Sequence, residues 1–192
     1  MSKKPTRVLP AETLTEDTQK LYDVLNAEPD HSVIIVSASY LDACLGAILT
    51  KFLIGGSSTV TKMLNPGGGV LGTFSARCDL SYAAGLISEV MHKDLSVIAE
   101  MRNQCAHHYL LKTFADKHIS DACEKLSFAG SLLRWDGVDG PMFPPEHLTE
   151  LRWRFTITAI LLSQRILMDA GAIEPRQRRQ PVISTSDRLT EI

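Results

Sequence analysis

Several features that would place a chain in a familiar class are scarce or missing here. Cysteine is sparse: Cys44, Cys78, Cys105 and Cys123 lie far apart and form no CxxC pair. That pattern excludes a disulfide framework and reads as reduced, buried thiols. Neither sign of charge prevails, with 20 Lys and Arg against 22 Asp and Glu and a formal net charge of −2. No overall positive field draws the chain to nucleic acid or anionic lipid. The longest apolar run, residues 33–54, could span a bilayer by length but contains Asp42 and Lys51. Charges are costly in lipid, so a buried core helix is expected and no membrane partner. The opening MSKKPTRVLPAE has no apolar stretch behind its charges, so a secretory leader is not expected and a cytoplasmic location is. Alternating strand-type runs and internal repeats are also absent.

What remains is apolar and helical in pattern. Hydrophobic residues make up 44% of 192 residues, enough for the core of one domain. Both ends are rich in Pro, Ser, Thr and Gln without periodic apolar residues. Residues 1–12 are read as a flexible basic tail carrying Lys3, Lys4 and Arg7, and 173–192 as a second flexible tail. Between them, 13–172 is predicted to be a single all-α helical bundle of five to six helices. Thr15 can cap a first helix that breaks at Glu28-Pro29, and a central helix follows Asp30 and runs to Gly55-Gly56. A short helix is expected over 57–64, then one capped by Thr73 that ends near Gly85, and another over about 92–107. Asp116 can cap a further helix through Leu133. After a loop rich in Gly and Pro, a long amphipathic helix is expected over 145–171. Trp135 and Trp153 flank that loop and are read as stapling the last helix to the bundle.

The most informative segment is LSVIAEMRNQCAHHY, residues 95–109. At about 100° per residue, Leu95, Ile98, Ala99, Met101, Cys105 and Ala106 gather on one side, with Arg102 in the middle of that apolar arc. A buried guanidinium stays charged and needs a carboxylate or a polar cavity. Asp42, on the stripe of Ile35, Ala38, Leu49 and Leu53, is one candidate partner; Asp79, in line with Ala76, Ala83 and Leu86, is the other. Such a pair either fixes helix register or floors a functional pocket. Asn103 and His107, at i and i+4, can hydrogen-bond. Arg102 and His107 point about 140° apart on an ideal helix, so they converge only if the helix loosens or a partner subunit completes the site. A guanidinium to hold a phosphate and an imidazole to move a proton would suffice for metal-free RNA cleavage.

Three blocks, SASYLDACLGAILTKFL (37–53), GVLGTFSARCDLSYAAGLI (69–87) and LSVIAEMRNQCAHHYLLKTFAD (95–116), resemble the mannitol operon repressor family in content and order. The resemblance spans roughly residues 30–135. It implies an all-α intracellular bacterial protein without a helix-turn-helix, acting on transcription indirectly through another protein such as a transcription factor. The shorter string RNQCAH, 102–107, is also similar to the signature of the HEPN superfamily. That likeness implies a metal-independent endoribonuclease, usually formed across a dimer. In it Arg102 would bind the scissile phosphate, Asn103 would position it, and His107 would serve as acid–base group.

Other constellations add little. Cys105, His107, His108 and His118 lack metal-site spacing, the glycines at 67–69 lack the Lys of a phosphate loop and read as a turn, and the serines lack a triad context. No cofactor or metal is expected. Only the tails, Arg77, Arg152, Arg154 and Arg165 could form a basic track for RNA or DNA. The expected function is therefore a homodimeric regulator working through protein contacts. The alternatives are the ribonuclease using Arg102 and His107, and a structural adaptor in which Arg102 only ties helices together.

Overall fold

A computed structural model describes residues 10–54, 58–107, 112–129 and 150–174. Among these residues there are seven helices, the start of another at Phe128, and no strand, so the all-α expectation holds and its count of five to six is approximate. Of the expected tails at 1–12 and 173–192, residues 1–9 and 175–192 lie outside the described residues, as do Leu133, Trp135 and the start of the last helix, while Ala11 and Glu12 belong to the first helix.

Two prolines set the first boundaries. Pro10 and Pro29 occupy the N-cap positions of α1 (Ala11–Ala27) and α2 (Asp30–Phe52), both in extended backbone. The ring fixes φ and lacks the N–H that a first turn leaves unpaired. Helix α1 therefore begins four residues ahead of the Thr15 cap that the sequence suggested. Thr15 sits inside it, its hydroxyl donating back to Ala11 O at 2.9 Å, because Ala11 and Leu14 are both buried and must lie on the helix.

The short α3 (Ser58–Met63) leads through a turn to α4 (Phe74–Ala83). Thr73 caps α4 as expected, its side chain accepting from Ala76 N at 3.2 Å. Thr73→Ala should cost about 1 kcal/mol in urea denaturation, because it orphans that first-turn donor. At the other end Gly85 adopts φ +70°. Its N–H bonds Tyr82 O, and Leu86 N bonds Ser81 O, both at 2.9 Å. This paired closure needs a left-handed residue after the helix, which glycine supplies without steric cost.

Helix α5 (Glu89–His107) starts three residues before the expected His92. Ser88 lies just ahead of it, and its hydroxyl accepts from Met91 N at 3.3 Å. Helix α6 (Lys117–Glu124) follows Asp116 but ends well short of Leu133. The Asp116 carboxylate does not cap it; it accepts from Thr113 N at 2.7 Å and from Thr113 Oγ1 at 3.1 Å, closing the preceding turn.

Helix α7 (Glu150–Ala172) packs most extensively on α2, and α2 also touches α1, α4 and α5. Leu41, Leu45, Ile48 and Leu49 of α2 are fully enclosed, as are Leu95 and Ile98 of α5 and Phe155 and Leu162 of α7. Being apolar around most of its circumference, α2 takes the central position that its sequence predicts. Among the described residues it is also the helix long and apolar enough to cross a membrane, yet most of its apolar stretch is buried inside the bundle. All four cysteines are free and buried, as expected. Burial pushes Cys78 and Cys123 up to about 12 and keeps them as thiols.

Arg152 fastens the start of α7 to the end of α1. Its Nη2 donates to Leu25 O at 2.9 Å and Glu28 O at 2.6 Å, and its Nη1 pairs with Asp30 Oδ1 at 2.9 Å. Asp30 Oδ2 also accepts from Phe114 N at 3.1 Å. One ion pair thus gathers α1, α2, α7 and the segment before α6.

Candidate functional site

A cavity of about 540 Å³ opens between α2, the turn ahead of α4, the start of α4, and α5. Ala38, Ser39 and Asp42 line it from α2, Thr73, Phe74 and Ser75 from the α4 side, and Ala99, Arg102 and Asn103 from α5. Of the five residues that the sequence singled out, the fold brings Asp42, Arg102 and Asn103 together here. Asp79 and His107 do not line this cavity.

The pairing expected of Arg102 is corrected by the structure. Arg102 is exposed, and the guanidinium that answers Asp42 belongs to Arg77. The Arg77 side chain is 5% exposed and its Nη1 lies 3.0 Å from Asp42 Oδ1. The other contacts of Arg77 are backbone carbonyls. Nε donates to Leu71 O at 2.9 Å, Nη2 to Leu64 O at 2.8 Å, and Nη1 to Asp42 O at 3.1 Å. The turn is built to present these acceptors. Gly69 packs so closely on the end of α3 that a Cβ there would fall 2.2 Å from Met63 O.

The error about Arg102 has a geometric origin. The buried face of α5 comprises Met91, Asp94, Leu95, Ile98, Ala99, Met101 and Cys105. At the helical pitch Arg102 falls within that arc, between Met91 and Leu95, but its turn of α5 borders the cavity, where the long side chain reaches solvent. Ala106, counted with the apolar arc, is exposed as well.

Asp79 is on the surface, its side chain 71% exposed, pairing with His92 Nε2 at 2.9 Å, and His92 stacks on Tyr82. The expected bond between Asn103 and His107 is not formed; Asn103 Oδ1 accepts from Arg102 Nη1 at 3.1 Å. His107 is exposed in the last turn of α5.

The electrostatics of the cavity follow from these positions. Burial raises the pKa of Asp42, and the positive charges of Arg77 and Arg102 oppose that rise. The 3.0 Å contact with Arg77 is ionic but misaligned, and it leaves the enclosed Asp42 Oδ1 without a hydrogen bond. Asp42 and Arg77 cancel in charge, so Arg102 gives the cavity an excess of one positive charge.

The four arginines expected to supply a basic track each pair with an acid among the described residues. Arg77 and Arg152 are spent on buried contacts, Arg154 pairs with Glu150 at 3.6 Å, and Arg165 with Asp169 at 2.8 Å. A second, apolar groove runs between α1 and α2, lined by Leu14, Leu21, Val24, Ile35, Val36 and Tyr40.

Sequence reasoning missed two buried polar residues, Arg77 and Asp94. Asp94 is 1% exposed. Its carboxylate accepts from Ser127 N at 3.0 Å and Phe128 N at 2.8 Å, closing the helical turn that begins at Phe128. The signal available for Arg77 was its spacing: Phe74, Arg77, Cys78 and Ser81 share one side of α4, and three of the four are buried.

No family model and no curated protein matches this chain. Among solved structures it is similar to a chain in the X-ray structure of the MtlR–HPr complex from Escherichia coli. The TM-score is 0.59 at 18% identity, over 79% of this chain and 98% of that one. The fold expected from the likeness to the mannitol operon repressor is thus the fold observed.

Proposed function

We propose that this chain is a cytoplasmic regulatory protein of the mannitol operon repressor type, acting through contact with another protein rather than through a helix-turn-helix. The observation that carries this reading is the fold likeness, which extends over 98% of a chain crystallised in complex with HPr. By that likeness the partner is HPr or a protein similar to it. Arg77, Arg152, Arg154 and Arg165, expected to form a basic track, each pair with an acid, which supports a protein partner over nucleic acid. The apolar groove between α1 and α2 supplies surface of the kind protein partners cover. A homodimer is part of the proposal, as the resemblance implies.

Calorimetric titration of the full chain with HPr from the same cells should give saturable micromolar binding, and light scattering of the chain alone should give twice the chain mass. Absence of heat at the highest soluble concentration removes HPr as the partner. Cleavage of labelled RNA in EDTA that disappears in His107→Ala, with the fold intact, replaces the regulatory reading by the ribonuclease one.

A further inference from the structure

We infer that the cavity between α2, α4 and α5 is a binding site for a small organic carboxylate, held by Arg102. The inference stands apart from the partner proposed above and would survive its failure.

Among the described residues no carboxylate lies within ion-pair distance of Arg102, whereas Arg77, Arg152, Arg154 and Arg165 each have one. The nearest acid on the cavity wall, Asp42, is committed to Arg77. Among the described residues only one N–H of Arg102 is taken up, by Asn103 Oδ1. That bond holds the guanidinium to its neighbour's amide and leaves the remaining donors for a ligand. A planar guanidinium matches the two oxygens of a carboxylate with two parallel hydrogen bonds.

The charge balance selects the class of anion. With Asp42 and Arg77 cancelling, the cavity carries one excess positive charge, and a monocarboxylate neutralises it. A phosphate monoester carries about −1.5 to −2 at neutral pH. It would leave negative charge facing the half-buried carboxylate of Asp42, whose own charge is already disfavoured by burial.

The walls select the rest of the molecule. Pro66, Phe74 and Ala99 give the cavity an apolar side, while Ser39 and Ser75 give it hydroxyls. Acetate would fill little of about 540 Å³; a carboxylate with an aromatic or branched aliphatic body would also cover the Phe74 side.

Binding is measured on the full chain by amide-shift titration at constant ionic strength, with benzoate, acetate and inorganic phosphate as separate probes. Benzoate is expected to saturate at millimolar concentration and to bind more tightly than acetate or phosphate. Arg102→Gln should weaken benzoate by at least about tenfold, the loss of one charge-assisted bidentate contact. Its melting temperature should stay unchanged, because Arg102 is exposed. Arg154→Gln, which removes an arginine elsewhere on the surface, should leave the affinity as it is. The inference is overturned if benzoate fails to bind, if Arg102→Gln binds it as well as the parent chain does, or if phosphate binds as tightly as benzoate.

Discussion

Replacing Arg77 with alanine is expected to destabilise the chain by about 3–5 kcal/mol, the range for leaving one member of a buried ionic network unanswered. The guanidinium makes three hydrogen bonds to backbone carbonyls and one ionic contact to Asp42, with its side chain 5% exposed. Alanine provides none of these donors and is too short to let water follow easily. The carbonyls of Leu64 and Leu71 and the Asp42 carboxylate would each lose their partner within one small region. In a domain of this size the loss corresponds to a fall in melting temperature of roughly 10 °C. Arg77→Lys should recover only part of it, since one ammonium cannot reach acceptors arranged around a planar fork. Removing the acid as well, in Arg77→Ala with Asp42→Ala, should still leave a large deficit, because Leu64 O and Leu71 O stay orphaned. Urea denaturation of the three variants decides the matter: a loss below about 1 kcal/mol in Arg77→Ala, the worth of an ordinary hydrogen bond, would show that the guanidinium does not hold the turn to α4.

Asp94→Ala should be the second costly change, at about 2–4 kcal/mol for stranding two buried N–H donors. The carboxylate receives Ser127 N and Phe128 N, and it is 1% exposed. Asp94→Asn keeps one acceptor oxygen and should lose less. The two variants also differ in how stability follows pH. Burial raises the pKa of Asp94 above its ordinary 3.8, and the hydrogen bonds from Phe128 and Ser127 oppose the rise without cancelling it. A folded-state value above the unfolded one means that the protonated carboxyl is the form folding favours. The associated stability is complete below the unfolded value and is lost as pH climbs through the folded one. Stability of the parent chain relative to Asp94→Asn should therefore decline as pH is raised from about 3 toward neutrality, across the ordinary carboxylate range. Urea midpoints of both proteins over that range test the sign; a difference that grows with pH would mean that the N–H donors outweigh burial.

The helical framework was legible because its signals are local. Thr73 caps α4, Gly85 closes it, and the apolar circumference of α2 announces a central rod; each depends on neighbours only a few residues away. The boundary errors came from competing local signals. Thr15 and Asp116 are good caps by residue type, but Pro10 starts α1 first, and Asp116 turns its carboxylate to Thr113. The ion pairs were less legible, because a buried charge is assigned by which face of a helix is inside. On α4 the small residues Ala76, Cys78, Ser81 and Ala83 make both faces look alike. The pattern therefore favoured Asp79, which the fold leaves in solvent, over Arg77, which it buries. On α5 Arg102 falls within the apolar arc, but on a turn that borders the cavity rather than the core. Asp42, Arg102 and Asn103 still meet at one cavity, because α2 and α5 both border it where these residues stand.

The position of α7 has a consequence for how the chain is made. The most apolar helix, α2, is complete by Phe52, whereas its largest cover, α7, begins at Glu150. During synthesis at about 5–20 residues per second, the rod is out of the ribosome for several seconds before its lid exists. Arg152 cannot fasten the end of α1 until the same moment. Nascent chains should accordingly lean on chaperones that shield greasy segments, and fragments stopped before α7 should be the ones that clump or are degraded.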